Sequence, residues 1–423
     1  MAGRCERCGA LSSPSGTPAS CAACQFPARP SPGALVAAAS WHPAARSDRG
    51  GNLGAILRGY RHAAGLTQQH LADLLGFDRT YISMIECGRR SIADRGTLAH
   101  IARTLAISPY VLGIADPDDV DFTAMLAFGA SVIRLADVAR HSGRASDAVG
   151  ELWPLITRLE ARMAAGHVEP QSMRLLAQAR VSFGVALGHL LPEEQLATAA
   201  LWTGRALRIA GRLGDRALLA SVLRMHGNEL RKAGHVTAGI TRLQQSLQID
   251  DHPARRGSSL VLLARAAAER GRAELFDLVA EQCVRALKDT EGHEVLFNAF
   301  TVREVSIRGL LATGRTGQAV ALAESLVAGD RPPTPQWGVI ERITTANVLA
   351  KAGDEHTAVA MLCAALSDAE MLRLPHQVQR IIRLAGQPGL PTGQRVGAEA
   401  KAVLARLDRQ LAEAVSSPGK PAH

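Results

Sequence analysis

The sequence predicts an all-α protein made of more than one folded unit. Three observations carry that expectation. Apolar residues make up 47% of the chain but aromatic residues only 4%, so the core is mostly Ala and Leu and lets helices approach closely. No stretch shows the alternating pattern of β-branched and polar residues that marks half-buried strands. The length of 423 residues exceeds what one hydrophobic core normally organises.

The net charge of +9 is unevenly placed: the first 104 residues hold 12 Arg and 6 acidic side chains, two thirds of the excess. A basic surplus there points to a polyanionic partner for that region. Apolar runs fall short of the ~20 residues that a membrane-spanning helix needs, and the start, MAGRCERCGA, has no hydrophobic signal core. The expected location is the cytoplasm, where thiols stay reduced and cysteine clusters point to metal or redox work.

Four of the seven cysteines lie in the first 24 residues. Cys5, Cys8, Cys21 and Cys24 are spaced C-x2-C-x12-C-x2-C. Each C-x-x-C can place two thiolates on one tetrahedral Zn2+, and twelve residues suffice to bring the pairs together. So small a segment has too little apolar surface to fold without its metal. It resembles a minimal zinc ribbon over residues 1–25, the zinc being structural. The alternatives are a thiol-disulfide switch and a tail that binds nothing. Residues 26–50, rich in Pro, Ala and Ser, read as a linker.

Helical periodicity begins at Leu53, with Leu53, Ile56, Leu57 and Tyr60 on one face. Gly65 closes that helix and Thr67 is placed to cap the next, whose inner face is Leu71, Ala72 and Leu75. Gly76 supplies a sharp turn, Asp78 caps a third helix facing inward through Ile82 and Ile85, and Gly88 ends it. Leu98, Ile101, Ala102 and Leu105 mark a fourth helix, and Ser108-Pro109 opens a short fifth.

The stretch LTQQHLADLLGFDRTYISMIECGRR, Leu66 to Arg90, contains the Thr-Gln start, the Gly-Phe-Asp turn and an Ile-Ser-x-Ile-Glu-x-Gly run at matching offsets. On those residues, the segment from 51 to 115 resembles the helix-turn-helix domain of Xre-type, phage-repressor-like regulators. The resemblance implies that the third helix enters the major groove of DNA and reads bases with Arg79, Thr80, Ser83 and Met84. Arg79 suits a bidentate contact to guanine, and Thr80 or Met84 a thymine methyl. Gln68 matches a phosphate-contacting position at a helix N-terminus, and Arg89 and Arg90 suit phosphates. Arg61 and Glu86 match a pair that ties the first helix to the third. Ser91-Ile92-Ala93-Asp94 lacks a basic run, so no minor-groove arm is expected. One such domain covers half an operator, which implies a homodimer on an inverted repeat.

After the acidic ADPDDVD, the chain becomes Ala- and Leu-rich helix pairs broken at ARHSGRASDAV, LRKAGHVTAGI, AAERGRAELFD, LLATGRTGQAV and LAKAGDEHTAV. From Gly234 the turn glycines recur after 37, 43 and 39 residues, and the 91 residues from Gly143 to Gly234 leave room for a further pair. Self-similarity at this period predicts an α-solenoid over residues 122–386, similar to a degenerate tetratricopeptide array of five or six repeats. Its concave face should bind a peptide or small-molecule effector. Register places Asn228, Arg265, Arg308 and Asn347 at equivalent groove positions, where side-chain amides can pair with a peptide backbone. Residues 390–415 read as one more helix that caps the array or pairs with its twin, and 416–423 as a tail.

No phosphate-cradling loop, zinc-protease pair or dinucleotide fingerprint is present, so no enzymatic activity is expected. The reading is a cytoplasmic, homodimeric, sequence-specific transcription regulator whose repeats dimerise it and sense an effector. The alternative is a protein-interaction scaffold whose repeats bind a transcription or toxin partner, with DNA binding secondary.

Overall fold

A computed structural model describes residues 53–107, 109–112, 114, 122–164, 168–289, 294–325, 331–388 and 390–416. The four N-terminal cysteines, the linker and residues 417–423 lie outside them. The described residues are helical throughout, apart from turns and one isolated bridge between Glu294 and Phe297. The chain divides into two compact units, residues 1–118 with 411–423, and residues 119–410.

The first unit holds α1 (Leu53–Ala63), α2 (Gln68–Leu75), α3 (Arg79–Glu86) and α4 (Arg95–Thr104). Each boundary has a chemical cause. The Thr67 hydroxyl accepts the His70 N–H at 3.1 Å, and Gly76 turns left-handed at φ 69° to release the chain. Asp78 accepts the Thr80 N–H at 2.7 Å and starts α3. Asp94 caps α4 through Thr97 at 2.7 Å, a start signal that sequence reading left unused. Leu57, Tyr60, Leu71, Leu75, Ile82, Ile85 and Ile101 form the fully buried centre. At Gly54 any Cβ would collide with the main chain of Ile85, so the crossing of α1 and α3 requires glycine there.

One expectation needs correcting. The fifth element is a single 3-10 turn, Pro109–Leu112, so residues 53–112 form four α-helices and one 3-10 turn rather than five α-helices. Four residues opening on proline cannot build an i→i−4 ladder, and a 3-10 turn is the geometry available to them.

The second unit is a run of six antiparallel helix pairs. They are α5 (Phe122–His141) with α6 (Ala145–Ala164), α7 (Pro170–Leu190) with α8 (Leu196–Leu213), and α9 (Arg216–Lys232) with α10 (Val236–Ile249). Next come α11 (Pro253–Glu269) with α12 (Ala273–Lys288), α13 (Ala299–Ala312) with α14 (Thr316–Glu324), and α15 (Pro335–Ala352) with α16 (Glu355–Met371). Gly143, Gly234, Gly271, Gly314 and Gly353 all turn at φ between 72° and 89°, a region costly for any residue with a Cβ. The remaining pair, α7–α8, turns without glycine through Leu191-Pro192 and a 3-10 turn at Glu193–Gln195. It fills the long interval between Gly143 and Gly234.

Trp153 and Phe183 each meet the Trp202 ring edge-to-face and tilt at 33° to one another, with centroids 5.0–5.7 Å apart. Beyond α16 come α17 (Pro375–Ala385) and α18 (Gln394–Ser416). Val396, Ala400, Val403 and Leu407 of α18 share one buried core with Val378, Ile381 and Leu384 of α17, so α18 covers the apolar end of the array.

The array is not open along its length. Arg383 of α17 forms two bonds to the Glu193 carboxylate at 2.6 and 2.8 Å, and Gln379 donates to Glu194 at 2.9 and 3.0 Å. The Glu193 backbone N–H donates in turn to Gln379 at 2.9 Å. These contacts bring α17 back against the second helix pair. The same helix contributes Arg380 and places it beside the first helices of the later pairs. Among the described residues no helix is long and apolar enough to cross a membrane.

Candidate nucleic-acid interface and interior cavity

In the first unit, α3 is held from behind and left free in front. Ile82 and Ile85 are fully buried, whereas Arg79, Thr80 and Met84 are exposed and Ser83 is half-buried on the opposite side. Four of the residues expected to read bases thus share one solvent-facing surface at the start of a capped helix. Hydrogen bonds from the Thr80 backbone and hydroxyl hold the Asp78 carboxyl below its ordinary value, which keeps the cap ionised.

Glu86 fixes the rear of α3. Its carboxylate, 2% exposed, receives Arg61 Nε at 2.7 Å, Arg61 Nη2 at 3.0 Å and the Gln68 side-chain amide at 2.9 Å. Burial works to raise this carboxyl, and the Arg61 and Gln68 hydrogen bonds outweigh it, so it lies below the usual carboxylate range. Arg58 also donates to the Glu86 carbonyl. The Arg61–Glu86 tie stands as the resemblance implied. Gln68 is more engaged than expected: its amide nitrogen is committed to Glu86, leaving its amide oxygen and the free N–H groups at the start of α2 for a phosphate. Arg89 and Arg90 are exposed just past α3, and the Arg90 guanidinium lies 4.8 Å from the Tyr81 ring centroid.

In the second unit, the predicted groove residues divide. Arg265 (α11), Arg308 (α13) and Asn347 (α15) line one cavity of about 320 Å3, together with Glu269, Lys351 and Arg380. Asn228 does not reach it. It is buried, donates to Glu229 at 3.2 Å and accepts from Arg231 at 3.0 and 3.3 Å. Arg231 in turn grips both oxygens of Glu269 at 2.6 and 2.9 Å, so Asn228 supports the cavity wall from one layer behind.

Sequence reasoning missed Arg380 and Glu304. Arg380 comes from α17 and enters only because that helix folds back. Glu304 lies beneath the floor, 4% exposed, where it accepts from Thr344 at 2.7 Å and stands 4.0 Å from Arg308. Burial pushes its carboxyl up to about 7 against the pull of Arg308. Three arginines pull Glu269 the other way, to about 2, overcoming its burial. Among the described residues no cluster of His, Cys, Asp and Glu is arranged for a metal.

A family model described as a helix-turn-helix domain matches residues 52–111. The chain therefore carries a helix-turn-helix domain followed by helical repeats. No curated protein matches. Among solved structures, Bacillus thuringiensis PlcR in complex with the peptide PapR7 and DNA is similar at 13% identity over 79% of this chain and 99% of that one, with a TM-score of 0.28. A circular tandem repeat protein with novel repeat topology and enhanced subunit contact surfaces is similar at 15% identity over 84% and 88%, with a TM-score of 0.20.

Proposed function

We propose that this chain is a cytoplasmic, sequence-specific DNA-binding transcription regulator of the Xre type. It acts as a homodimer on an inverted-repeat operator, and its repeat array responds to an effector. The observation that carries the reading is the exposed face of α3 within a matched helix-turn-helix domain, where Arg79, Thr80 and Met84 face solvent on a helix anchored by Ile82, Ile85 and Glu86. Recognition helices of such units present their first residues to base edges. Arg79 carries the largest share, since a good bidentate contact is worth about 1–3 kcal/mol of discrimination. Arg89, Arg90 and the N-terminus of α2 set register on phosphates. Nothing in this role calls for catalysis, and the protein acts by binding alone.

The test is sequencing of sheared genomic DNA captured by the purified protein at physiological salt, beside Arg79→Ala. Enrichment of one inverted repeat, lost in the variant, is the expected result. Equal enrichment by both proteins rules out the reading face and favours the scaffold reading.

The effector acts from the cavity on the relative placement of the two reading helices, and can shift operator affinity only by its differential affinity for the two arrangements. Cys5, Cys8, Cys21 and Cys24 hold a structural Zn2+, a reading supported by four thiol donors in two C-x-x-C pairs. Elemental analysis of the purified chain should find one zinc, lost when Cys5 and Cys8 are both changed to Ser. A zinc content unaffected by those changes would sink it.

A further inference from the structure

The cavity between α11, α13, α15 and α17 has an unusual charge balance. Arg265, Arg308, Lys351 and Arg380 line it, and Glu269 is its one lining carboxylate. Glu269 is already taken by Arg231 at 2.6 Å, with Arg308 at 3.9 Å. The Arg265 guanidinium forms no ion pair among the described residues; it lies 6.0 Å from the Trp337 ring centroid. Its Nε, and Nη1 of Arg308, are buried with no hydrogen-bond partner. Buried N–H groups on charged side chains are rarely left bare, because each costs its full desolvation penalty. Burial, with the neighbouring guanidinium of Arg308, depresses Arg380 to about 9.

Glu304, which could offset them from below, is pushed toward its neutral form, so the deficit persists. Asn347 adds a buried side-chain oxygen without a partner, which needs a donor. The volume lies at the small end of the range for small-molecule sites, about 300–1,000 Å3, and is far too confined for a nucleic-acid strand.

We infer that this cavity is a binding site for a small organic anion. A carboxylate or phosphate group would lie among Arg265, Arg308 and Arg380, and a hydroxyl or N–H elsewhere on the molecule would meet Asn347. The inference rests on the proposed role of the repeat array as the sensing unit. It narrows that role by replacing an extended peptide laid along an open groove with a compact anion. Arg is suited to the task because its planar fork matches both oxyanions in a bidentate way.

The experiment is thermal unfolding of the full chain in sodium phosphate or sodium succinate, each titrated against sodium chloride at matched ionic strength. A saturable rise of about 3 °C is expected at roughly ten times Kd for a unit of this size. Arg308→Gln should abolish the rise. Because that change touches the packed wall, Lys351→Gln, on an exposed rim position, is the second variant and should weaken binding severalfold. A response to phosphate alone assigns a phosphate head group; a response to succinate alone assigns a carboxylate. No rise over chloride, or equal rises in the parent and both variants, overturns the proposal. Operator affinity measured with and without the stabilising anion separates the two claims. A bound anion that leaves operator affinity unchanged sinks the sensing role and spares the site, whereas intact operator binding with no anion effect on stability does the reverse.

Discussion

Arg61→Ala is expected to cost the helix-turn-helix unit about 3–5 kcal/mol, enough to leave a domain of this size substantially unfolded near physiological temperature. The reason lies in what remains. Glu86 is 2% exposed, and Arg61 supplies two of the three hydrogen bonds to its carboxylate. Removing the guanidinium strands a buried charge, with Gln68 alone unable to compensate.

Glu86→Gln combined with Arg61→Ala should recover most of the loss, because the stranded charge is gone. Calorimetry of the full chain would show this as a fall of the first unit's transition by roughly 15 °C or more in the single variant, and a smaller fall in the double. The pH dependence has a fixed sign. Glu86 is held below its ordinary value, so its contribution is full above that value and is lost as pH falls through the folded one. A single variant within about 0.5 kcal/mol of the parent would mean that the pair is ordinary surface electrostatics. The effect reaches function directly: α3 keeps its angle to α1 through this tie and the Gly54 crossing, so loosening it should reduce operator affinity before the unit unfolds.

The contrast between the two units shows what a sequence can disclose. In the first, the caps and turns are local signals. Thr67, Asp78 and Gly76 are read where they act, and the 25-residue span from Arg61 to Glu86 repeats a known pattern. The helix pairs of the second unit were legible for the same reason, since each turn glycine sits at a left-handed φ between two helices. The cavity was only half legible. Register put Arg265, Arg308 and Asn347 at equivalent positions, and the three line one wall because successive first helices repeat. The opposing wall depends on Glu193 and Glu194 meeting Gln379 and Arg383 across 185–190 residues, and no local pattern marks such a contact. Asn228 sits in the expected register, but adjacent Glu229 and Arg231 offered it a closer partner than any ligand. Side-chain competition of that kind is decided in three dimensions.

Glu304→Gln should stabilise the second unit by something of the order of 3 kcal/mol at pH 8, and by nothing at pH 4. The sign follows from a carboxyl pushed up to about 7 by burial. Between its ordinary value of 4.5 and 7 the folded protein holds a proton that the unfolded chain has released, so stability falls as pH rises through that window and stays low above it. Gln keeps an oxygen to accept from Thr344 and removes the charge. Buried His189 and His376 are pushed below 6.5 by burial, which lowers stability as pH falls. That trend is common to both proteins, and the difference between their denaturant midpoints from pH 4 to 8 isolates Glu304. A flat difference would show that Arg308 and Arg380 keep the carboxylate ionised, and the cation excess in the cavity would then be smaller by one charge. If the difference slopes as expected, the same group links the cavity to pH. An anion among those arginines opposes ionisation of Glu304, so binding of succinate, already a dianion at pH 7, should take up protons there, seen as a buffer-dependent binding enthalpy that Glu304→Gln removes.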